Sequence, residues 1–152
     1  MKIEIHKSQS VDLEKIQEIA RRTIDSNYRS FLGDKGVDWF IESGASDQYI
    51  KENLGDCWVL FCDGQILGFY VDKKNLIELM MVDTELHRKG FGAELLKHCE
   101  GRLFKEYEKI KLESFEGNEN ANNFYKKHGW KETDRIFDKT SGTYKLTFIK
   151  KK

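Results

Sequence analysis

The chain has no proline among its 152 residues, no surplus of either charge, and only three cysteines. No internal repeat or low-complexity segment interrupts it, and no linker divides it, so at this length it reads as one domain with room for a proper core. Lysine plus arginine equals aspartate plus glutamate, 26 of each, which leaves no overall field to draw nucleic acid or an acidic membrane. No basic stripe is interleaved with aromatics, as a nucleic-acid surface would need. Cys57, Cys62 and Cys99 are an odd number at no ligand spacing, which argues against a disulfide framework and a zinc site. They fit reduced thiols. Cys57 and Cys62, five apart in one strand, should face opposite ways and cannot share a metal. Histidines 6, 87, 98 and 128 are scattered, so no metal is expected. No apolar run reaches the length of a membrane span. The expectation is a soluble, cytoplasmic protein with no membrane partner.

The patterns that are present order the chain. "KIEIHK" alternates as a first strand; from Ser10, the residues Leu13, Ile16, Ile19, Ala20 and Ile24 keep the helical period. Residues 28 to 55 carry two short amphipathic pieces, about 35–43 and 46–54, read as short helices. "CWVLFCDGQILGFYV" is a hairpin turning at Asp63-Gly64, and "LIELMMV" (76–82) a third antiparallel strand. A helix should run from after "HRKG" to about Tyr107, then a strand "KIKLESF", a helix in "NENANNFYKKHG", and a last pair of strands in "WKETDRIFD" and "GTYKLTFIK".

The stretch "HRKGFGAELL" sets two glycines where a helix begins, although glycine within a helix costs about 1 kcal/mol against alanine. A strand, a glycine loop and a helix N-terminus form an anion site, because the first N–H groups lack helical acceptors and the helix dipole is positive there. Arg88 and Lys89 add charge. The nucleotide-binding P-loop is excluded, since Ala93 follows Gly92 where Lys-Ser/Thr is required. The dinucleotide fingerprint fails at Leu95, which stands in place of a third glycine.

"VDTELHRKGFGAELL" resembles the pyrophosphate loop of the GNAT superfamily of acyl-CoA-dependent N-acyltransferases, Gln/Arg-x-x-Gly-x-Gly/Ala after a strand, with Gly90 and Gly92 in its small positions. "NENANNFYKKHGW" is similar to a later segment of that family through Asn118, Ala121, Phe124, Tyr125, Gly129 and Trp130. With the element order, the resemblance covers nearly the whole chain. Two positions depart from the pattern: His87 replaces Gln or Arg, and Thr84 stands where proline is common.

The resemblance implies an α/β fold of α+β type: a single GNAT-like domain over residues 1–152 whose mixed, mostly antiparallel sheet is split in a V by a bulge in "LIELMMV". It implies acetyl-CoA as co-substrate and no metal. The pantetheine arm would bond backbone groups at Met81 and Val82, and the pyrophosphate would meet His87, Arg88, Lys89, Gly90, Phe91, Gly92 and Ala93. Asn118 would bond the pantetheine arm, or simply cap a helix. For direct transfer to an amine, Glu78 is the expected base, with Glu116 in reserve. Tyr125 is the expected acid toward the thiolate. The bland readings are a surface or ion-paired Glu78 and a packed Tyr125. Tyr28, Phe31, Trp39 and Phe40 could wall the acceptor side, where aromatics are equally at home as core. The acceptor would be the primary amine of a small molecule or a protein. The alternative is an acyl-CoA-binding module of the same fold without turnover. Members of the family are often dimers, and the terminal hairpin or its edge strand offers a surface for a second copy.

Overall fold

The computed structural model describes residues 1–86 and 89–152. Seven strands form one sheet: β1 (Ile3–Lys7), β2 (Cys57–Cys62), β3 (Gln65–Lys73), β4 (Leu76–Val82), β5 (Lys109–Phe115), β6 (Lys131–Asp138) and β7 (Thr143–Lys151), in the spatial order β1-β2-β3-β4-β5-β7-β6. The β2–β3 turn uses Asp63 and Gly64, both at positive φ, as a two-residue hairpin with right-handed strand twist demands. Every neighbouring pair is antiparallel except β4 and β5. That parallel pair requires a crossover, and α5 (Phe91–Leu103) supplies it.

Two irregularities make the sheet a functional scaffold. The β4–β5 ladder has only two pairs, Leu76 with Lys111 and Ile77 with Leu112; beyond them the strands part. Against β3 the register steps from Val71–Leu79 to Asp72–Ile77, so Glu78 is the extra residue of a β-bulge. In an unbroken strand Ile77 and Leu79 would share a face. Here Ile77 belongs to one core and Leu79 packs on the other.

Those two cores lie on opposite faces of the sheet. On one, α1 (Leu13–Asn27), α3 (Asp34–Glu42) and α4 (Ala45–Glu52) bury Ile16, Ile19, Val37 and Ile50 against Val59, Phe69 and Met81. On the other, Leu95, Leu96 and Cys99 of α5 pack on Leu60, Tyr70, Ile110 and Phe148, and α6 (Glu119–Lys127) adds Phe124 and Tyr125 at the edge. Cys57 and Cys62 fall on opposite sides, as strand alternation requires. Beneath α5 the Arg102 guanidinium lies 4.3 Å from the Trp58 ring centroid and donates to Asp72 (2.6 Å) and to the Tyr70 hydroxyl (3.1 Å), which also meets His98 Nδ1 at 2.9 Å. This network ties the crossover helix to the sheet.

Three expectations need adjustment. A further short helix, α2 (Arg29–Leu32), precedes α3, and Leu54–Asp56 is a 3-10 turn following α4. The crossover helix stops at Leu103 instead of Tyr107: Glu106 and Tyr107 both donate to the Leu103 carbonyl, tightening the backbone while Phe104 and Tyr107 still reach the core. The side-chain period outlasts the helix. No helix among the described residues is long and apolar enough to cross a membrane.

Candidate functional site

Where β4 and β5 diverge, a cavity of about 580 Å³ opens. Its walls come from β4, β5, the α1 to α4 face, α6 and the β6–β7 turn. The bulge decides what reaches it. Glu78 is turned to the α4 side, where the Tyr49 hydroxyl donates a 2.7 Å hydrogen bond to its Oε1. Continuing the parallel register past Ile77 and Leu112 makes Glu78 and Glu113 the first residues beyond the fork, and both line the cavity. Beyond Ile77, the β5-facing edge of β4 has no strand pairing through Met81. Met81 itself is buried in the core, and Val82 packs on the opposite one.

Tyr125 enters from α6 and lines the same cavity. Burial, with smaller contributions from Tyr28 and Cys99, pushes its phenol well above the ordinary tyrosine range. Burial likewise lifts Tyr28 to about 12. Both keep their protons at neutral pH. Tyr28, Trp39 and Phe40 line the cavity; Phe31 does not, and instead packs its ring 5.2 Å from Tyr28 and 5.6 Å from Phe115.

At the other end of β4 the buried Asp83 receives Arg22 Nη1 at 2.6 and 2.8 Å. The chain then makes a short 3-10 turn and enters α5 at Gly90, whose φ of 86° is left-handed. Gly90 stands at the N-cap and has no side chain with which to cap this helix, and the first internal bond runs from the Glu94 N–H to the Gly90 carbonyl at 3.2 Å. The N–H groups of Phe91, Gly92 and Ala93 precede that bond and have no helical acceptor. Lys89 and Gly90 are exposed; Phe91 is buried and anchors the turn. A Cβ on Gly92 would meet the Phe124 ring at 3.5 Å, an ordinary contact, so α5 and α6 face each other across this point. His87 and Arg88 lie outside the described residues.

Asn118 caps α6, its Oδ1 accepting from the Ala121 N–H at 3.5 Å, and it also lines the cavity. The reserve base is placed differently. Glu116 pairs with Arg135, which holds its carboxyl below the usual range, and it does not line the cavity. Two contributors carried no expectation from sequence. Asn122 is buried and donates to the carbonyls of Phe115 (3.2 Å) and Glu116 (3.1 Å), fixing the corner between β5 and α6. Its one sequence signal is an asparagine at an interior helix position, which costs propensity unless the side chain has a task. Tyr49 gave no signal, because its role depends on the bulge. No group of three or more His, Cys, Asp or Glu side chains among the described residues could hold a metal.

Residues 28–142 match the model of the acetyltransferase (GNAT) domain family. The chain belongs to the GNAT acetyltransferases. Solved structures share the GNAT fold along the whole chain. The PaiA N-acetyltransferase of Thermoplasma acidophilum, solved in complex with coenzyme A, is 22% identical with a TM-score of 0.84, all of both chains being covered. A GNAT-family acetyltransferase of Bacillus cereus is 21% identical with a TM-score of 0.75, covering 100% of this chain and 99% of the other. A putative streptothricin acetyltransferase of Bacillus anthracis, solved with acetyl coenzyme A, matches over 63% of this chain and 61% of its own, at 25% identity and a TM-score of 0.58.

Proposed function

We propose that this GNAT protein is an N-acetyltransferase that moves the acetyl group of acetyl-CoA directly to a primary amine of a small molecule or a protein. The observation that carries the reading is the meeting of Glu78 and Tyr125 in one cavity at the fork of β4 and β5. The surrounding chain fits the co-substrate. The edge of β4 that faces away from β3 runs past Met81 and Val82 and offers its outward-facing backbone groups to an amide-bearing arm. The start of α5 offers the N–H groups of Phe91, Gly92 and Ala93 to phosphates, with Lys89 beside them and His87 and Arg88 next in sequence. Asn118 is within the cavity wall, where its amide can serve the same arm while capping α6. That two structurally similar proteins were solved with coenzyme A or acetyl coenzyme A supports the assignment.

Acetyl-CoA supplies the acyl group as a thioester. The acceptor arrives mostly as ammonium, since a lysine-like amine has a pKa of about 10.4. Glu78 takes its proton, directly or through water; the nitrogen bonds to the acyl carbon, and the carbon–sulfur bond breaks. The negative sulfur that leaves accepts a hydrogen bond from the Tyr125 hydroxyl. Because burial raises this phenol, Tyr125 stays a donor throughout the neutral range but gives up its proton reluctantly. Its contribution is a hydrogen bond on the leaving group; the second proton, which the nitrogen sheds as it becomes an amide, goes to the sulfur, so that CoA departs as the thiol.

The test is release of free thiol from acetyl-CoA across a panel of amines, repeated with Glu78→Gln and Tyr125→Phe. Each variant should bind acetyl-CoA as the natural protein does and lose about 10²- to 10⁴-fold in kcat, the usual worth of an acid or base. Normal turnover by either variant removes that residue from the mechanism. Binding of acetyl-CoA without thiol release from any amine would instead mark a binding module.

A further inference from the structure

We infer that Tyr49 is a positioning residue for the base: from α4 it holds the Glu78 carboxylate in its ionised, cavity-facing orientation. The inference rests on the proposed role of Glu78 and deepens it.

The geometry starts at the bulge. The extra residue in β4 turns Glu78 toward α4, on the side of Leu79, and away from the core that takes Ile77. Tyr49 stands there with its hydroxyl 2.7 Å from Oε1. This is the short distance of an O–H donor on a charged acceptor. Oε1 is thereby engaged, which leaves Oε2 for an amine or a water. A glutamate has three side-chain torsions, and a tether at one oxygen removes much of that freedom before any acceptor binds.

The phenol is suited to the task because it does not titrate. Burial, reinforced by the Glu78 charge, pushes Tyr49 far above the ordinary tyrosine range, so it remains a donor wherever Glu78 is ionised. The other groups around this pair are accounted for. Lys73, which feels the Glu78 charge, is bonded to Asp56 at 2.7 Å. Cys57, near Tyr49, is lifted to about 12 by burial and is neutral. Tyr28 and Tyr125 keep their protons. Across the cavity, Asp138 accepts from the Ser141 N–H at 3.1 Å and is held below the usual range by that turn and by Lys145. Glu113, beside Glu78 at the fork, lines the same cavity.

The experiment is the pH profile of kcat/KM for Tyr49→Phe, a change that keeps the ring and removes only the hydroxyl. Loss of a donor to the charged form makes that form harder to reach. The acid limb should therefore move to higher pH by about one unit, and kcat should fall about tenfold or more, with the KM for acetyl-CoA unchanged. In the double variant Tyr49→Phe/Glu78→Gln, the tyrosine change should add nothing to the loss already caused by Glu78→Gln. A residue that merely packs would lower thermal stability and leave the pH limb in place. An unmoved limb, or equal effects of Tyr49→Phe with and without Glu78, overturns the inference. If Glu78→Gln itself retains full activity, it is the assignment of the base that fails.

Discussion

Two identical substitutions, Gly90→Ala and Gly92→Ala, should have opposite effects on stability although they are two residues apart. Gly90 sits at φ 86° and ψ 0°, in the left-handed region. An L-residue there costs roughly 1–2 kcal/mol, and the smaller entropy of an unfolded alanine chain returns only about 0.4–1 kcal/mol. The net is a loss of about 1 kcal/mol, or about 2–4 °C in Tm for a chain of this size. Gly92 lies inside α5, where an added methyl would make ordinary contacts with Phe124 at 3.5 Å and Val82 at 4.0 Å. Alanine gains up to about 1 kcal/mol over glycine in a helix interior, and less in the first turn. A gain of about 0.5 kcal/mol is therefore expected, a separation of about 1.5 kcal/mol between the two variants. Urea unfolding followed by far-ultraviolet circular dichroism resolves that difference. Destabilisation of equal size at both positions would refute the reasoning. The contrast also answers why the chain spends glycines here. Backbone conformation alone requires Gly90, whereas the packing of the protein does not require Gly92.

Other expectations follow from groups buried away from the cavity. Asp83→Ala leaves Arg22 facing an empty acceptor; because Arg22 is about a third exposed and also pairs with Glu18, the cost should be about 2 kcal/mol by urea unfolding, less than for a fully buried pair. Burial, then Arg102, holds the His98 imidazole below its ordinary range. The unfolded chain therefore binds a proton more readily, and stability falls as the pH drops below about 6.5, levelling off once the folded state also protonates. Between pH 7.5 and 5.5 the Tm of the natural protein should fall more than that of His98→Gln; parallel curves would contradict this. Of the three thiols, Cys57 and Cys99 are buried and lifted well above the ordinary cysteine range, while Cys62 is half-buried. One fast-reacting thiol in the folded protein and three in denaturant should be counted with a chromogenic disulfide; two or more fast thiols would contradict the burial.

Much of the fold is written in local pattern. β4 and β5 were bounded by their apolar runs, and the Asp63-Gly64 turn by its demand for positive φ. What local pattern misses is decided by neighbours. "RSFL" forms α2 because aromatic packing of Tyr28 and Phe31 on Phe115, far along the chain, fixes it. The position of the bulge was not readable from "LIELMMV", since its residues suit a core in either register. Only the pairing with β3 makes Glu78 the bulged residue. For the same reason Tyr49 was silent in the sequence and Glu116 seemed available: one depends on that bulge, the other on Arg135 from β6. The loop glycines and Tyr125 stand out by their spacing, and the structure places Gly90 at the left-handed start of α5 and Tyr125 in the cavity wall.

The most direct test of the account is calorimetric titration of the purified protein with acetyl-CoA, alongside Gly92→Glu, which puts a carboxylate where the phosphates are proposed to sit. Circular dichroism verifies that the variant is folded. The account predicts saturable one-to-one binding by the natural protein and at least tenfold weaker binding by the variant. No binding by the natural protein, or equal binding by both, would contradict it.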